Sequence, residues 1–342
     1  MMAASSIARH PSLRRATLAV MPLTLVLMAS AVIHLGLGAR AISPRTVVEA
    51  LMNYDPRNFD HRIIVSLRLT RLIAALLTGA ALGVAGMLLQ TVIRNPLGEP
   101  HILGLNAGAT LAVVLCSALG VTSAQWGVMQ PLVAACGAGG LFALVMFIAS
   151  AGRSGPTAMK ITLCGVALSA FASAVSAAIL ILDEQTLQAM RTWLAGDLAG
   201  VSQGVLRIAV FPMATGLLMA MLLASRISQL ALGDNVARGL GVNVTRTRAL
   251  SVVAIALLCG GAVTVAGPIG FIGLVVPHIV RYLAGHNLRS GLLLAMPVGA
   301  ALLLIADIFA RWLLAPQELA TGVMTALVGA PLFILIAVRF FK

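Results

Sequence analysis

Residues 249–285, ALSVVAIALLCGGAVTVAGPIGFIGLVVPHIVRYLAG, decide how many times this chain crosses a membrane. The stretch is apolar almost throughout, too long for one span and short for two. Gly267-Pro268-Ile269-Gly270 interrupts it, and a proline flanked by glycines is a strong helix breaker. Two short spans, 249–266 and 268–284, are therefore expected. Further apolar segments of membrane length lie on either side, at 17–38, 70–93, 103–120, 127–149, 161–182, 205–225, 291–313 and 320–338. The total is ten.

Composition agrees. Of 342 residues, 60% are apolar and only 10% are charged, against about 25% charged in soluble domains. The mean hydropathy is +1.03. A water-soluble fold of this size cannot hide that much apolar surface, so residues 1–342 are expected to form one all-α, polytopic membrane domain. The net charge of +13 does not indicate nucleic-acid binding, because no basic patch with interleaved aromatics is present. Cys116, Cys136, Cys164 and Cys259 sit singly in apolar segments without metal-ligand spacing, and are expected as small helix-packing residues with no metal site. Arg9, Arg14 and Arg15 precede an apolar run too long for a signal-peptide core, so 17–38 reads as a retained first span behind a cytoplasmic tail, 1–16.

Charge parity supports ten spans. With an even number both termini share one side, and most of the 23 bases fall there, among them Arg94, Arg153, Lys160, Arg226, Arg238, Arg246, Arg248, Arg281 and Arg289. That is the bias expected of cytoplasmic loops. One cluster opposes it: Arg40, Arg45, Arg57, Arg62, Arg68 and Arg71 lie outside, between spans one and two, and suggest an acidic external partner. Within spans, Gly79, Gly83 and Gly86 place small residues on adjacent turns of one helix, a surface for close helix packing in lipid.

The most conspicuous polar island in the C-terminal half is LALGDNVARGLGVNVTRTR, residues 230–248. Its middle reads as a short helix on the inner face, with Gly233, Gly239 and Gly241 available for sharp turns. Such a helix can be pushed by a soluble partner.

Catalytic motifs are lacking. No GxxxxGK[ST], HExxH or GxSxG occurs, nor paired carboxylates within a span. The six histidines are scattered. Asp307 is the one acid well inside a span, and Arg311, four residues on, is expected to pair with it. Two classes remain: a permease that borrows ATP hydrolysis from a partner, and a carrier driven by a gradient.

Several segments then run in a specific order. They are Arg68-Leu-Thr-Arg71-Leu72, Thr78 to Gly83, Gln90 through Arg94-Asn95-Pro96-Leu97-Gly98-Glu99-Pro100, Leu103 to Ala109 and 230–244. Gly267 to His278, Ala306-Asp307-Ile-Phe-Ala-Arg311, Glu318 to Gly322 and Thr325 to Pro331 follow. Together they resemble the permease subunits of type II ABC importers for iron–siderophores, haem and vitamin B12, over residues 63–338.

The resemblance implies a fold of ten membrane helices in the bacterial inner membrane with both termini cytoplasmic. It implies a second permease subunit (a homodimer favoured, a heterodimer possible), two cytoplasmic ATPase subunits that hold ATP and Mg, and a periplasmic binding protein. This chain itself would bind no cofactor and catalyse no reaction. Leu232, Gly233, Asp234, Ala237, Arg238, Gly239, Leu240 and Gly241, within 230–245, resemble the family's ATPase-coupling helices. Arg68 and Arg311 match outer arginines that meet acidic residues of the binding protein, and Arg57 and Arg62 are expected to add to that docking face. Thr157 and Met159, in 155–160, lie where the cytoplasmic gate is expected. A ferric siderophore is the favoured cargo, by the similarity of 190–200, with haem next and vitamin B12 as the alternative.

Overall fold

The computed structural model describes residues 11–38, 42–120, 123–151, 157–285 and 287–340. The described residues form fourteen α-helices and one π-helical turn. Ten helices are apolar enough to belong to the membrane: α1 (Pro11–Gly36), α4 (Leu69–Ile93), α5 (Leu105–Ala118), α6 (Ser123–Ala149), α7 (Ala158–Leu182), α9 (Gln203–Ala231), α11 (Val244–Ala266), α12 (Ile272–Ala284), α13 (Leu288–Trp312) and α14 (Thr321–Phe340). The chain is an all-α polytopic membrane protein: among the described residues six of these helices are long enough to cross a membrane and four are shorter, together matching the ten spans that parity supported. α1 begins at Pro11, so the helix extends into the expected tail; residues 1–10 lie outside the described residues.

The decisive break is real, and wider than the four residues that signalled it. α11 ends at Ala266, Gly267 takes φ +71, Phe271 takes φ +69, and α12 starts only at Ile272. α12 and α5 have 13 and 14 residues, about 20 Å each at 1.5 Å per residue, well short of a ~30 Å hydrocarbon core. Irregular backbone at membrane depth is tolerated where protein surrounds it, and Ile269 is buried beneath the break.

α4 is the hub. It packs on α13, α11, α12 and α9, and 78% of its apolar window, counted within the continuous helix from Phe59, is buried. The glycine face makes this possible. A methyl group at Gly79 would overlap the Gly299 carbonyl of α13, and one at Gly86 would overlap Gly273 of α12. Close backbone approach of this kind drives helix association where lipid offers no hydrophobic incentive. α7 is the opposite case, with only 17% of its window buried.

Four shorter helices lie outside the spans. α2 (Pro44–Met52) is capped by Ser43, whose Oγ accepts from the Thr46 amide, and Pro44 opens it, the residue types favoured at those positions. α3 (Phe59–Arg62) leads through the π-turn Ile63–Arg68 directly into α4. α8 (Glu184–Leu194) is capped by Asp183; the bonds Asp183 accepts from Thr186 hold its carboxyl below the usual range. α10 (Asp234–Gly239) sits at the other face, between α9 and α11.

Candidate functional site: an arginine cluster and a short helix on opposite faces

On the α2/α8 face, the cluster is built around the end of α1. The last four carbonyls of a helix lack partners within it, and the helix dipole favours a cation there. Two arginines fill that need. Arg68, at the end of the π-turn, donates from Nη1 to Leu35 O at 2.7 Å and Gly36 O at 2.8 Å. Arg311, near the end of α13, donates to His34 O at 3.1 Å and also to Leu37 O. Gly38 passes over both guanidinium groups, and a Cβ there would sit 2.8 Å from Nη2 of each.

Arg68 and Arg311, expected as outward docking residues, are thus 6% and 7% exposed and turned into the fold. Arg57 and Arg62 are exposed on the same face; Arg40 lies outside the described residues.

The expected Asp307–Arg311 pair does not form. Asp307, fully buried, instead takes Arg71 as its charged partner, with Arg71 Nε and Nη2 each 2.9 Å from its two oxygens. It also accepts from Thr321 Oγ1 at 2.6 Å and pairs with His34 Nε2 at 2.8 Å. A bidentate arginine supplies two parallel bonds to a carboxylate, which the helical neighbour, occupied with α1, does not match. Arg71 further donates to Glu318 Oε2 at 2.6 Å, and Glu318 lies 3.6 Å from Arg311 Nε. Above this network is an open cavity of about 590 Å³ lined by Arg68, Arg71, Arg311, Glu318 and residues 198–203.

On the other face, α10 is anchored by Asp234. Its carboxylate accepts from Arg94, the residue that ends α4, at 2.9 Å and from Arg248, in the first turns of α11, at 3.2 Å. Ala237 and Val242 are buried beneath it. Leu232, Val236 and Leu240 recur every four residues and are 64%, 50% and 56% exposed. Arg238 is exposed as well. Gly233 and Gly241 adopt φ +114 and +81, the sharp turns expected of them. Gly239 does not: it is the last residue of the helix. A single six-residue helix occupies 230–245, whose two ends belong to α9 and α11.

Of the expected gate segment, 155 and 156 lie outside the described residues. Thr157 is the N-cap of α7, accepting from the Lys160 amide at 3.3 Å, and Met159 is 73% exposed.

Sequence reasoning missed three participants. His34 was one histidine among six until α1 and α13 met. Arg71 was grouped with outer bases. Glu99, expected in a loop, is buried with its Oε1 2.5 Å from the Phe271 amide at the α12 break. The flanking Gly98 and Pro100 were the available signal, since a turn between them folds the segment back into the bundle. Asn106 Nδ2 adds a bond to Ile269 O at 2.9 Å, so 99–106 and the break are pinned together.

Comparison with known proteins agrees with this architecture. The FecCD transport family matches the chain over residues 25–339. The iron(3+)-hydroxamate import system permease protein FhuB of Bacillus subtilis is 38% identical over 92% of this chain and 81% of its own length. The ferric enterobactin transport system permease protein FepD of Escherichia coli is 38% identical over 94% and 95%. A solved structure described as an inward-facing metal-chelate type ABC transporter superposes with a TM-score of 0.78 at 30% identity, covering 94% of this chain and 99% of that one.

Proposed function

The chain belongs to the FecCD transport family, and from that premise we propose that it is the membrane permease of a bacterial ATP-driven importer whose cargo is a ferric siderophore. The observation that carries this reading is α10. Exposed apolar side chains, Val236 on the helix with Leu232 and Leu240 flanking it, stand beside the exposed Arg238, while Asp234 is tied inward. Apolar surface that is neither buried nor in lipid marks a docking site.

In this reading the α10 face and both termini are cytoplasmic, in the inner membrane. Two ATPase subunits carrying ATP and Mg grip α10, and nucleotide biases a two-state permease. Asp234 passes the movement to α4 through Arg94 and to α11 through Arg248. A periplasmic binding protein docks on the opposite face, meeting Arg57 and Arg62 first, with the cavity over Arg68 and Arg311 behind them. A second permease, a second copy favoured, seats along the poorly buried α7, and Thr157 and Met159 lie at the cytoplasmic end of the path between the two. The iron chelates named for both relatives support the siderophore.

The test is reconstitution in vesicles with the ATPase and binding-protein candidates. Uptake of a ferric siderophore that requires ATP and the binding protein is expected. Uptake that runs on an ion gradient and ignores ATP would replace the importer reading with a secondary carrier.

A further inference from the structure

A second large concavity plays no part in the transport path described above. It is a groove of about 860 Å³ between α6 and α11. Its floor is made by small residues of α6, Cys136, Gly139, Gly140 and Ala143, against Ala249 and Ala256 of α11. The two helices still touch: Gly260 packs on Ala135, and Gly139 is 3.1 Å from Ala256 Cβ when given a methyl. At Gly140, by contrast, a Cβ would meet nothing within 4 Å. Cys136, expected to pack between helices, is exposed on the groove.

Only one end of the groove is polar. There, at the α10 face, it is lined by Ser150, Thr245 and Arg248. Arg248 and Arg94 share the single carboxylate of Asp234, which leaves that corner with one net positive charge. Lys160 adds a second base beside it, its Nζ donating at 3.3 Å to the carbonyl of Ala151, next to Ser150. From Thr245 to Leu257 the groove follows thirteen residues of α11, twelve rises or about 18 Å. That is close to the depth of one leaflet, half of a ~30 Å hydrocarbon core.

We propose that this groove is a binding site for one anionic phospholipid, an acyl chain lying along Gly139, Gly140 and Ala143 and the phosphate on Arg248. The dimensions fit one chain in one leaflet, and the charge is at the end where a headgroup would be. Basic residues near a membrane surface attract anionic lipids, and arginine pairs readily with phosphate. The phosphate would share Arg248 with Asp234, so the lipid would reach the anchor of α10. The proposal depends on the chain spanning a membrane and holds whichever cargo is carried.

The test is native mass spectrometry of the full-length chain released from nanodiscs of equimolar phosphatidylglycerol and phosphatidylcholine. Wild type should retain phosphatidylglycerol preferentially, by about tenfold, the scale of one charge-assisted hydrogen bond. Arg248→Gln should abolish the preference. Asp234→Asn, which releases Arg248 from its carboxylate, should increase it, a sign that mere structural damage would not produce. Gly140→Phe, filling space that no protein atom occupies, should displace the lipid while helicity and elution stay unchanged. Equal retention of the two lipids by wild type overturns the proposal, as does phosphatidylglycerol retention indifferent to all three variants. Efficient Cys136–Cys136 cross-linking between copies would assign the groove to a protein interface instead.

Discussion

The arginine cluster and α10 are opposites in how they use their residues. The cluster looks like a charged surface in the sequence, yet three of its arginines are consumed by the fold, two on α1 carbonyls and one on Asp307. α10 looks like a polar loop, yet its acid is tied inward, and Val236 with the flanking Leu232 and Leu240 is exposed. In a membrane protein a conspicuous charge can be the buried, structural element. A conspicuous apolar residue in a polar island can be the one that meets a partner.

The largest effect that would break this contrast concerns Asp307. Removing one partner of a buried pair leaves an uncompensated charge and costs about 3–5 kcal/mol. Asp307→Ala should therefore lower thermal stability in detergent sharply; an unchanged Tm would mean that Arg71 and His34 are not held as described.

Next is α10. Exposed apolar anchors at an interface are worth at least 1–2 kcal/mol, or about tenfold in affinity. Leu240→Asp or Val236→Asp should weaken ATPase attachment by that factor with the Tm unchanged. A loss of stability equal to the loss of attachment would make α10 structural too, and the contrast would vanish.

Arg311→Glu sharpens the cluster side. It should destabilise the end of α1 by about 1–3 kcal/mol through lost charge-assisted bonds, detectable as faster proteolysis near 37–38, as well as weakening binding-protein docking. Loss of docking alone, with α1 as protected as before, would return Arg311 to the surface role that the sequence suggested.

The smallest effect is at Arg57 and Arg62. Charges on an interface rim act mainly on association rate and salt dependence. Arg57→Glu with Arg62→Glu should slow binding-protein association a few-fold at low salt and leave both Tm and ATPase attachment unchanged.

The spans were readable because their signals are local. An apolar run and a Gly-Pro break each carry their meaning within about twenty residues, and parity only had to count them. α10 was readable for the same reason, down to the turns at Gly233 and Gly241, although the partner glycine, Gly239, continues the helix. The arginine roles were not readable. Arg71 and Asp307 are 236 residues apart, and the rule that residues four apart on a helix pair favoured Arg311, whose two terminal nitrogens are engaged by carbonyls at the end of α1. Glu99 was hidden by a related limit: a short polar segment between two spans looks like a surface loop unless one knows that it turns back into the bundle.

The capped end of α1 also bears on how the protein is made. His34 and Leu37 receive their donors from Arg311, which for Leu37 lies 274 residues further along the chain. At roughly 5–20 residues per second of synthesis, α1 waits on the order of 15–50 s in the membrane before the residue that finishes it exists. A helix inserted well before α13 is completed only once α13 exists. A ribosome stalled before α13 would leave the end of α1 held by Arg68 alone.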